Sequence, residues 1–139
     1  MSETSAIAPG VDFAALTSAA REAMTRAYAP YSGYPVGAAA LTEDGRIITG
    51  CNVENASYGV GLCAECALVG QLQLTGGGTL RAFTCVNADG DYITPCGRCR
   101  QLLYEFAGET LWIKTAAGIT TIEGLLPEAF GPRDLENIA

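Results

Sequence analysis

The hydrophobic pattern changes from helical spacing to strand-like runs within the first fifty residues. The apolar positions of the first segment fall on one helix face: Phe13, Leu16, Ala20, Ala23 and Ala27. Asp12 is a suitable N-cap, and Pro30 marks the end of the pattern, so a helix is predicted between them. Residues 34–55 then form two apolar stretches around the acidic turn at 43–45, which predicts a β-hairpin.

The rest of the chain alternates between helical and strand-like segments. Helices are predicted at 64–74, before the three glycines at 76–78, and at 97–108, with Gly108 as the stop. Strands are predicted at 79–88, 110–116 and 119–124, and a turn or short helix at 125–131. This order predicts a single α/β domain over residues 12–139, with a mixed five-stranded sheet and helices on its faces. Residues 1–11 are expected to be a flexible tail.

Composition and charge narrow the possible partners. The chain has 139 residues and a net charge of −7, and its eight basic residues form no run. Because phosphate contacts supply most of the affinity of polynucleotide binders, we expect no nucleic-acid partner and favour a neutral small molecule. No apolar run is long enough for a membrane span and the N-terminus does not resemble a signal peptide, so a cytoplasmic location is expected.

The cysteines indicate a metal site. Cys63 and Cys66 form one Cys-x-x-Cys pair, Cys96 and Cys99 form another, and each pair opens a predicted helix. In a reducing compartment this spacing favours zinc over disulfides, and the chain contains no histidine to supply a nitrogen ligand. The spacing leaves open whether four thiolates close a structural site or three leave a position for chemistry. Lone cysteines at 51 and 85 are expected to be core residues.

An acidic residue stands between the first two cysteines. Glu65 would add negative charge beside thiolates, which does not suit a purely structural site. It suits proton transfer, because zinc lowers the pKa of bound water and a carboxylate can accept the proton. The alternative is a solvated helix residue.

Five ordered motifs resemble the zinc-dependent cytidine deaminases that act on free nucleosides. They are "CAE" at 63–65, "PCGRCRQ" at 95–101, "AYAPYSGYPVGAA" at 27–39, "GCNVENASYG" at 50–59 and "LLPEAFGPRDL" at 125–135. The resemblance implies a three-layer α/β/α fold and hydrolysis of cytidine and 2′-deoxycytidine to the uridine nucleosides and ammonia, in pyrimidine salvage. It also implies one zinc per chain and a homotetramer with active sites shared between subunits.

The resemblance assigns roles to individual residues. It implies that Glu65 is the proton shuttle and that three cysteines bind zinc: Cys63, Cys96 and Cys99. The implied nucleoside-binding residues are Tyr34, Asn52, Glu54 and Ala64, with Tyr58 and Phe130 reaching a neighbouring subunit. From the residues alone, Asn52 and Glu54 could be surface groups, and Tyr34 and Phe130 could be core aromatics.

Cys66 departs from the family pattern, because many members have arginine there. A fourth thiolate would leave no place for water, so we expect Cys66 to lie beside the metal without binding it, as a weak S–H donor to a ligand sulfur. Arg98 or Arg100 and the helix N-termini would then offset the thiolate charge. Two alternatives stay open: a non-catalytic module with a closed four-cysteine zinc, and a deaminase for a nucleotide, a free base or a nucleoside antibiotic.

Overall fold

The computed structural model describes residues 7–136, which fold into five strands and four α-helices. The strands are β1 (Gly37–Thr42), β2 (Ile47–Cys51), β3 (Leu80–Val86), β4 (Ala107–Thr115) and β5 (Gly118–Thr121). The helices are α1 (Phe13–Met24), α2 (Ala64–Leu74), α3 (Gly97–Glu105) and α4 (Ile122–Leu125). Short 3₁₀ turns occupy Tyr58–Val60 and Pro132–Leu135. The predicted hairpin and the helix at 64–74 are confirmed.

The strands form one mixed sheet in the order β2-β1-β3-β4-β5. β3 and β4 are parallel, and every other neighbouring pair is antiparallel. The parallel pair requires a crossover, and α3 provides it by linking the end of β3 to the start of β4. The predicted mixed five-stranded sheet is therefore confirmed.

Side chains alternate between the two faces of the central strands, which builds two cores. On one face Ala39, Ala82 and Val86 pack against α1 through Phe13 and Leu16. On the other face the strands pack against α2 and α3, and the fully buried members include Ala38, Ala40, Leu68, Leu72, Phe83, Leu103 and Ile113. Burying one such large side chain contributes roughly 1.5–3 kcal/mol. Helices cover both faces, as the three-layer prediction requires.

Gly50 lets α2 lie directly on the edge strand. A Cβ built at Gly50 would lie 2.5 Å from the backbone nitrogen of Leu68 and closer still to the carbonyl oxygen of Ala64. No side chain fits there without moving the helix. Glycine in β2 thereby fixes the height of the α2 N-terminus above the sheet.

The structure differs from the sequence prediction at several element boundaries. α1 ends at Met24 because Tyr28 leaves the helix to pair with the chain after β2, through Tyr28 N to Asn52 O at 3.0 Å and Glu54 N to Tyr28 O at 2.8 Å. Gly108 does not stop α3, which ends at Glu105, since Gly108 lies within β4. Residues 122–124 are helical rather than extended, because the Thr121 hydroxyl caps α4 by accepting from Gly124 N at 3.2 Å.

The N-terminal segment also differs from expectation in its described part. Residues 1–6 of the expected tail lie outside the described residues. Ala8 and Val11 are fully buried against α1, and Arg81 Nη2 donates a hydrogen bond to Pro9 O at 2.7 Å. Residues 7–11 therefore pack on the domain. None of the helices in residues 7–136 combines the length and apolar character needed to span a membrane.

Candidate functional site

The N-termini of α2 and α3 bring three cysteines together. Cys63 is the N-cap of α2, Cys96 is the N-cap of α3, and Cys99 lies in the first turn of α3. Their three sulfur atoms all lie within 4.8 Å of one another. Zn–S bonds of about 2.3 Å at tetrahedral angles place sulfurs about 3.8 Å apart, so the trio fits zinc with one position left for a further ligand.

The thiols differ in how easily they ionise. Burial raises the pKa of the Cys63 and Cys99 thiols. The backbone N–H of Cys99 does most to lower the pKa of Cys96, with a smaller contribution from the N–H of Arg98. Because zinc binds thiolates, its binding must drive protons from the two more buried thiols. The free N–H groups of both helix ends favour the resulting negative charge.

Glu65 points into the same region from the first turn of α2. Its side chain is only 5% exposed. Burial raises the pKa of this carboxyl, and hydrogen bonds from its own backbone N–H and from the Cys99 thiol oppose the shift. The alternative of a solvated helix residue is therefore wrong. A buried carboxyl beside a candidate ligand sulfur can exchange protons with a molecule bound at the cysteine cluster.

Cys66 neighbours this group without joining it. Among residues 7–136, the cluster of potential ligand atoms comprises Cys63, Cys96 and Cys99 only. Cys66 is half-buried. Its backbone N–H donates a hydrogen bond to Cys63 O at 3.0 Å. The expected S–H hydrogen bond to a ligand sulfur is not formed within the described part of the chain.

The two candidate arginines behave differently. The Arg98 guanidinium is exposed and makes neither an ion pair nor a hydrogen bond with the described residues. Arg98 acts on Cys96 through its backbone N–H instead. Arg100 is half-buried and bonds to two backbone carbonyls, Pro95 O and Leu125 O.

A cavity of about 210 Å³ opens beside the cysteines. Its lining includes five residues expected from the sequence: Asn52, Cys63, Ala64, Glu65 and Cys96. It also includes four that sequence reasoning missed: Val36, Cys85, Ile93 and Thr94. Ile93 and Thr94 could have been suspected because they precede the Pro95–Cys96 motif.

Cys85 was missed because a buried cysteine in a strand is expected to be a core residue. It is 1% exposed, as the core prediction required, yet it borders the cavity. Its thiol donates to the carbonyl oxygen of Ile93 at 3.1 Å and so holds the loop that forms one wall. Cys51 is half-buried in β2 and lies outside this cavity.

Glu54 and Tyr58 line a second cavity of about 280 Å³, with Tyr31, Ser32, Asn55 and Gly61. The Glu54 carboxylate accepts hydrogen bonds from Tyr31 N at 3.0 Å, Ser32 N at 3.1 Å and the Ser32 hydroxyl. These bonds, first that of the hydroxyl, lower the pKa of Glu54 and keep it ionised. The Tyr31 and Tyr58 rings pack edge to face with centroids 6.4 Å apart.

The structure thus divides the expected nucleoside-binding residues between two places. Asn52 lies with Glu65, where its amide accepts from Val36 N at 2.8 Å and donates to Tyr34 O at 3.0 Å. Glu54 lies with Tyr58 in the second cavity. The Tyr34 and Phe130 side chains are 51% and 61% exposed, so the core-aromatic alternative is wrong for both.

Comparison with known proteins shows similarity to one group of enzymes. The family described as "Cytidine and deoxycytidylate deaminase zinc-binding region" matches residues 12–115. A cytidine deaminase of Mycobacterium tuberculosis is 53% identical over 127 residues, covering 91% of this chain and 96% of the relative. A cytidine deaminase of Sporosarcina psychrophila is 37% identical, covering 93% and 98%. The crystal structure of the Mycobacterium leprae cytidine deaminase superposes with a TM-score of 0.83 at 54% identity, covering 85% of this chain and 99% of that one.

Proposed function

The chain belongs to the zinc-dependent cytidine deaminase family, and on that premise we propose that it hydrolyses cytidine and 2′-deoxycytidine. Water adds at C4 of the pyrimidine and ammonia leaves, which gives uridine or 2′-deoxyuridine. The observation that carries the proposal is one cavity bordered by ligand cysteines and a buried carboxyl at Glu65.

The zinc would be held by the thiolates of Cys63, Cys96 and Cys99. Zinc held in this way supplies a Lewis acid that makes water a good nucleophile near neutral pH. The open fourth position suits catalysis, whereas a closed four-cysteine site would exclude water. The closed alternative is not favoured, because Cys66 lies outside the group of ligand atoms in residues 7–136.

Glu65 is assigned the proton transfers. It takes a proton from the attacking water and delivers it to N3 of the ring. It then takes the proton of the new C4 hydroxyl, as the carbonyl forms, and gives it to the departing amine. Its burial supports this role, since burial raises the pKa of the carboxyl and so favours the protonated form that it must adopt between the two halves of each transfer. Ala64, next to it in the cavity wall, is assigned backbone contacts with the pyrimidine amide.

Asn52 and Glu54 are assigned the ribose hydroxyls. Asn52 borders the cavity that contains Glu65, and its amide is already oriented by Val36 N and Tyr34 O. Glu54 keeps a charged carboxylate at the neighbouring segment, which favours hydroxyl donors and repels a phosphate. This supports a nucleoside substrate over a nucleotide.

The assembly is proposed to be a homotetramer with shared active sites. The side chains of Tyr58 and Phe130 are 82% and 61% exposed, and large exposed aromatics are typical of surfaces that a partner covers. Tyr58 and Phe130 would close the nucleoside pocket of a neighbouring subunit, and Tyr34 would contribute at the pocket entrance. A sedimentation-equilibrium mass of four chains would support this, and a monomer with full activity would contradict it.

We place the enzyme in the cytoplasm, in pyrimidine salvage. The support is the free cysteines that the metal site requires and the neutral product that the enzyme would return to nucleoside pools.

A substrate panel tests the proposal directly. Purified protein with measured zinc content is assayed for ammonia release from cytidine, 2′-deoxycytidine, dCMP and cytosine. We expect turnover of both nucleosides and at least tenfold lower kcat/KM for dCMP, because a repulsion of about 1.4 kcal/mol between its phosphate and Glu54 is enough for a tenfold loss. Preference for dCMP or cytosine would contradict the nucleoside assignment, and zinc without any turnover would favour a structural module.

A further inference from the structure

Arg100 connects the metal-binding loop to the C-terminal segment. Its Nε donates to Pro95 O at 2.8 Å, and its Nη1 donates to Leu125 O at 2.9 Å. Pro95 is buried and directly precedes the ligand Cys96. Leu125 is the last residue of α4, from which the chain continues toward Phe130.

The side chain of the next residue of α3, Gln101, bonds to the C-terminal segment alone. Gln101 Nε2 donates to Phe130 O at 2.7 Å. Among the described residues, its side chain donates to the C-terminal segment and makes no hydrogen bond to the loop that carries Cys96. Arg100 and Gln101 therefore separate two effects of α3, support of the metal loop and support of the C-terminal segment.

We propose that Arg100 is a positioning residue for the zinc site, and that it acts by bridging the Pro95 and Leu125 carbonyls. The inference rests on the proposed zinc ligation by Cys96. A planar guanidinium can donate in two directions at once from a fixed fork, whereas a lysine ammonium is a point charge on a flexible stem. Groups that hold a metal ligand from behind typically affect metal affinity about 10–100-fold when lost.

The same contacts distinguish bridging from simple charge compensation. If the positive charge of Arg100 only offset the thiolates, lysine would replace it. If the bridge matters, lysine fails because it cannot reproduce both bonds in one geometry. Arg98 offers a charge comparison, since it is two residues away and its guanidinium is exposed.

The test measures the rate at which zinc leaves the loaded protein to a chromophoric chelator, at a temperature well below unfolding. The variants are Arg100→Lys, Arg100→Gln, Arg98→Gln and Gln101→Ala. We expect Arg100→Lys and Arg100→Gln both to release zinc about tenfold faster or more. Gln101→Ala should release it at the parent rate while raising KM, and Arg98→Gln should change release less than either Arg100 variant.

Melting temperatures and zinc content of the same samples separate the possible failures. Zinc release at the parent rate in Arg100→Lys would overturn the bridge, whether or not Arg100→Gln folds. Equal acceleration in Gln101→Ala at equal melting temperature would also overturn it, because general loosening of the segment would then suffice. A parent protein that holds no zinc would instead overturn the proposed function.

Discussion

The N-termini of α2 and α3 carry the same Cys-x-x-Cys spacing and use it differently. Both begin with a cysteine N-cap in nearly the same extended conformation, with φ and ψ of −68° and 156° at Cys63 and −65° and 168° at Cys96. α3 then directs its third helical residue, Cys99, into the site. α2 directs its second, Glu65, and leaves Cys66 outside the ligand cluster of residues 7–136.

Burial at the matching positions shows the same difference. At the second helical position Glu65 is buried and Arg98 is exposed, and at the third Cys66 is half-buried and Cys99 is buried. Successive residues are about 100° apart around a helix, so the rotation of each helix on the sheet decides which one faces the metal. Cysteine spacing predicts nearness to a metal. Ligation depends on packing that lies elsewhere in the chain.

The largest effect is expected from the residue at which the two helices differ most in chemistry. Glu65→Gln should lower kcat about 10²–10⁴-fold and leave zinc content unchanged, because an amide cannot accept and return the proton. Arg98→Gln, at the equivalent position of α3, should change kcat a few-fold at most, since its guanidinium is exposed. Steady-state kinetics and metal analysis on both variants test the comparison. Near-normal turnover in Glu65→Gln would contradict the proton-transfer role of Glu65, the residue that distinguishes α2 from α3.

An intermediate effect is expected from Gly50, which sets the position of α2. Gly50→Ala should destabilise the fold by about 1–3 kcal/mol, because its Cβ would strike the α2 backbone. Since α2 carries Cys63 and Glu65, the zinc affinity should fall as well. Gly37→Ala is the matched control, because a Cβ at Gly37 would strike the α1 backbone at Ala20 and Met24, and α1 carries no ligand.

Urea unfolding and chelator competition measure the two quantities separately. We expect similar losses of unfolding free energy in both glycine variants and a larger loss of zinc affinity in Gly50→Ala. Equal losses of affinity would mean that the height of α2 on the sheet does not govern the site.

The smallest effect is expected at Phe130, which lies in the segment after α4. Its backbone carbonyl accepts a hydrogen bond from Gln101 of α3. Phe130→Ala should raise KM several-fold without loss of zinc, since a stacked aromatic contact contributes roughly 0.5–1.5 kcal/mol beyond its buried area. Substrate-saturation curves on protein of confirmed assembly state provide the measurement. An unchanged KM would mean that Phe130 does not contact the substrate and that α3 contributes only to metal binding.

The sequence predicted the hairpin, α2 and the helix starts at Asp12 and Gly97, because caps, turns and apolar spacing are local. It missed the early end of α1, which depends on Tyr28 pairing with Asn52 and Glu54 across the fold. The sequence does not predict that Cys85 and Ile93 form a cavity wall, since their contact depends on how the segment after β3 folds back onto that strand. The sequence also does not predict that Tyr34 and Phe130 are exposed, because aromatic side chains are common both in cores and at interfaces.

Zinc stoichiometry of the single serine variants shows whether Cys63 binds the metal while Cys66 does not. Metal per chain is measured on Cys63→Ser and Cys66→Ser prepared in parallel, with Cys96→Ser and Cys99→Ser as references for lost ligands. We expect about one zinc per chain in Cys66→Ser, and loss of metal in Cys63→Ser to the level of Cys96→Ser and Cys99→Ser. If Cys66→Ser loses zinc as readily as Cys63→Ser, all four cysteines bind the metal and the open, catalytic site is contradicted.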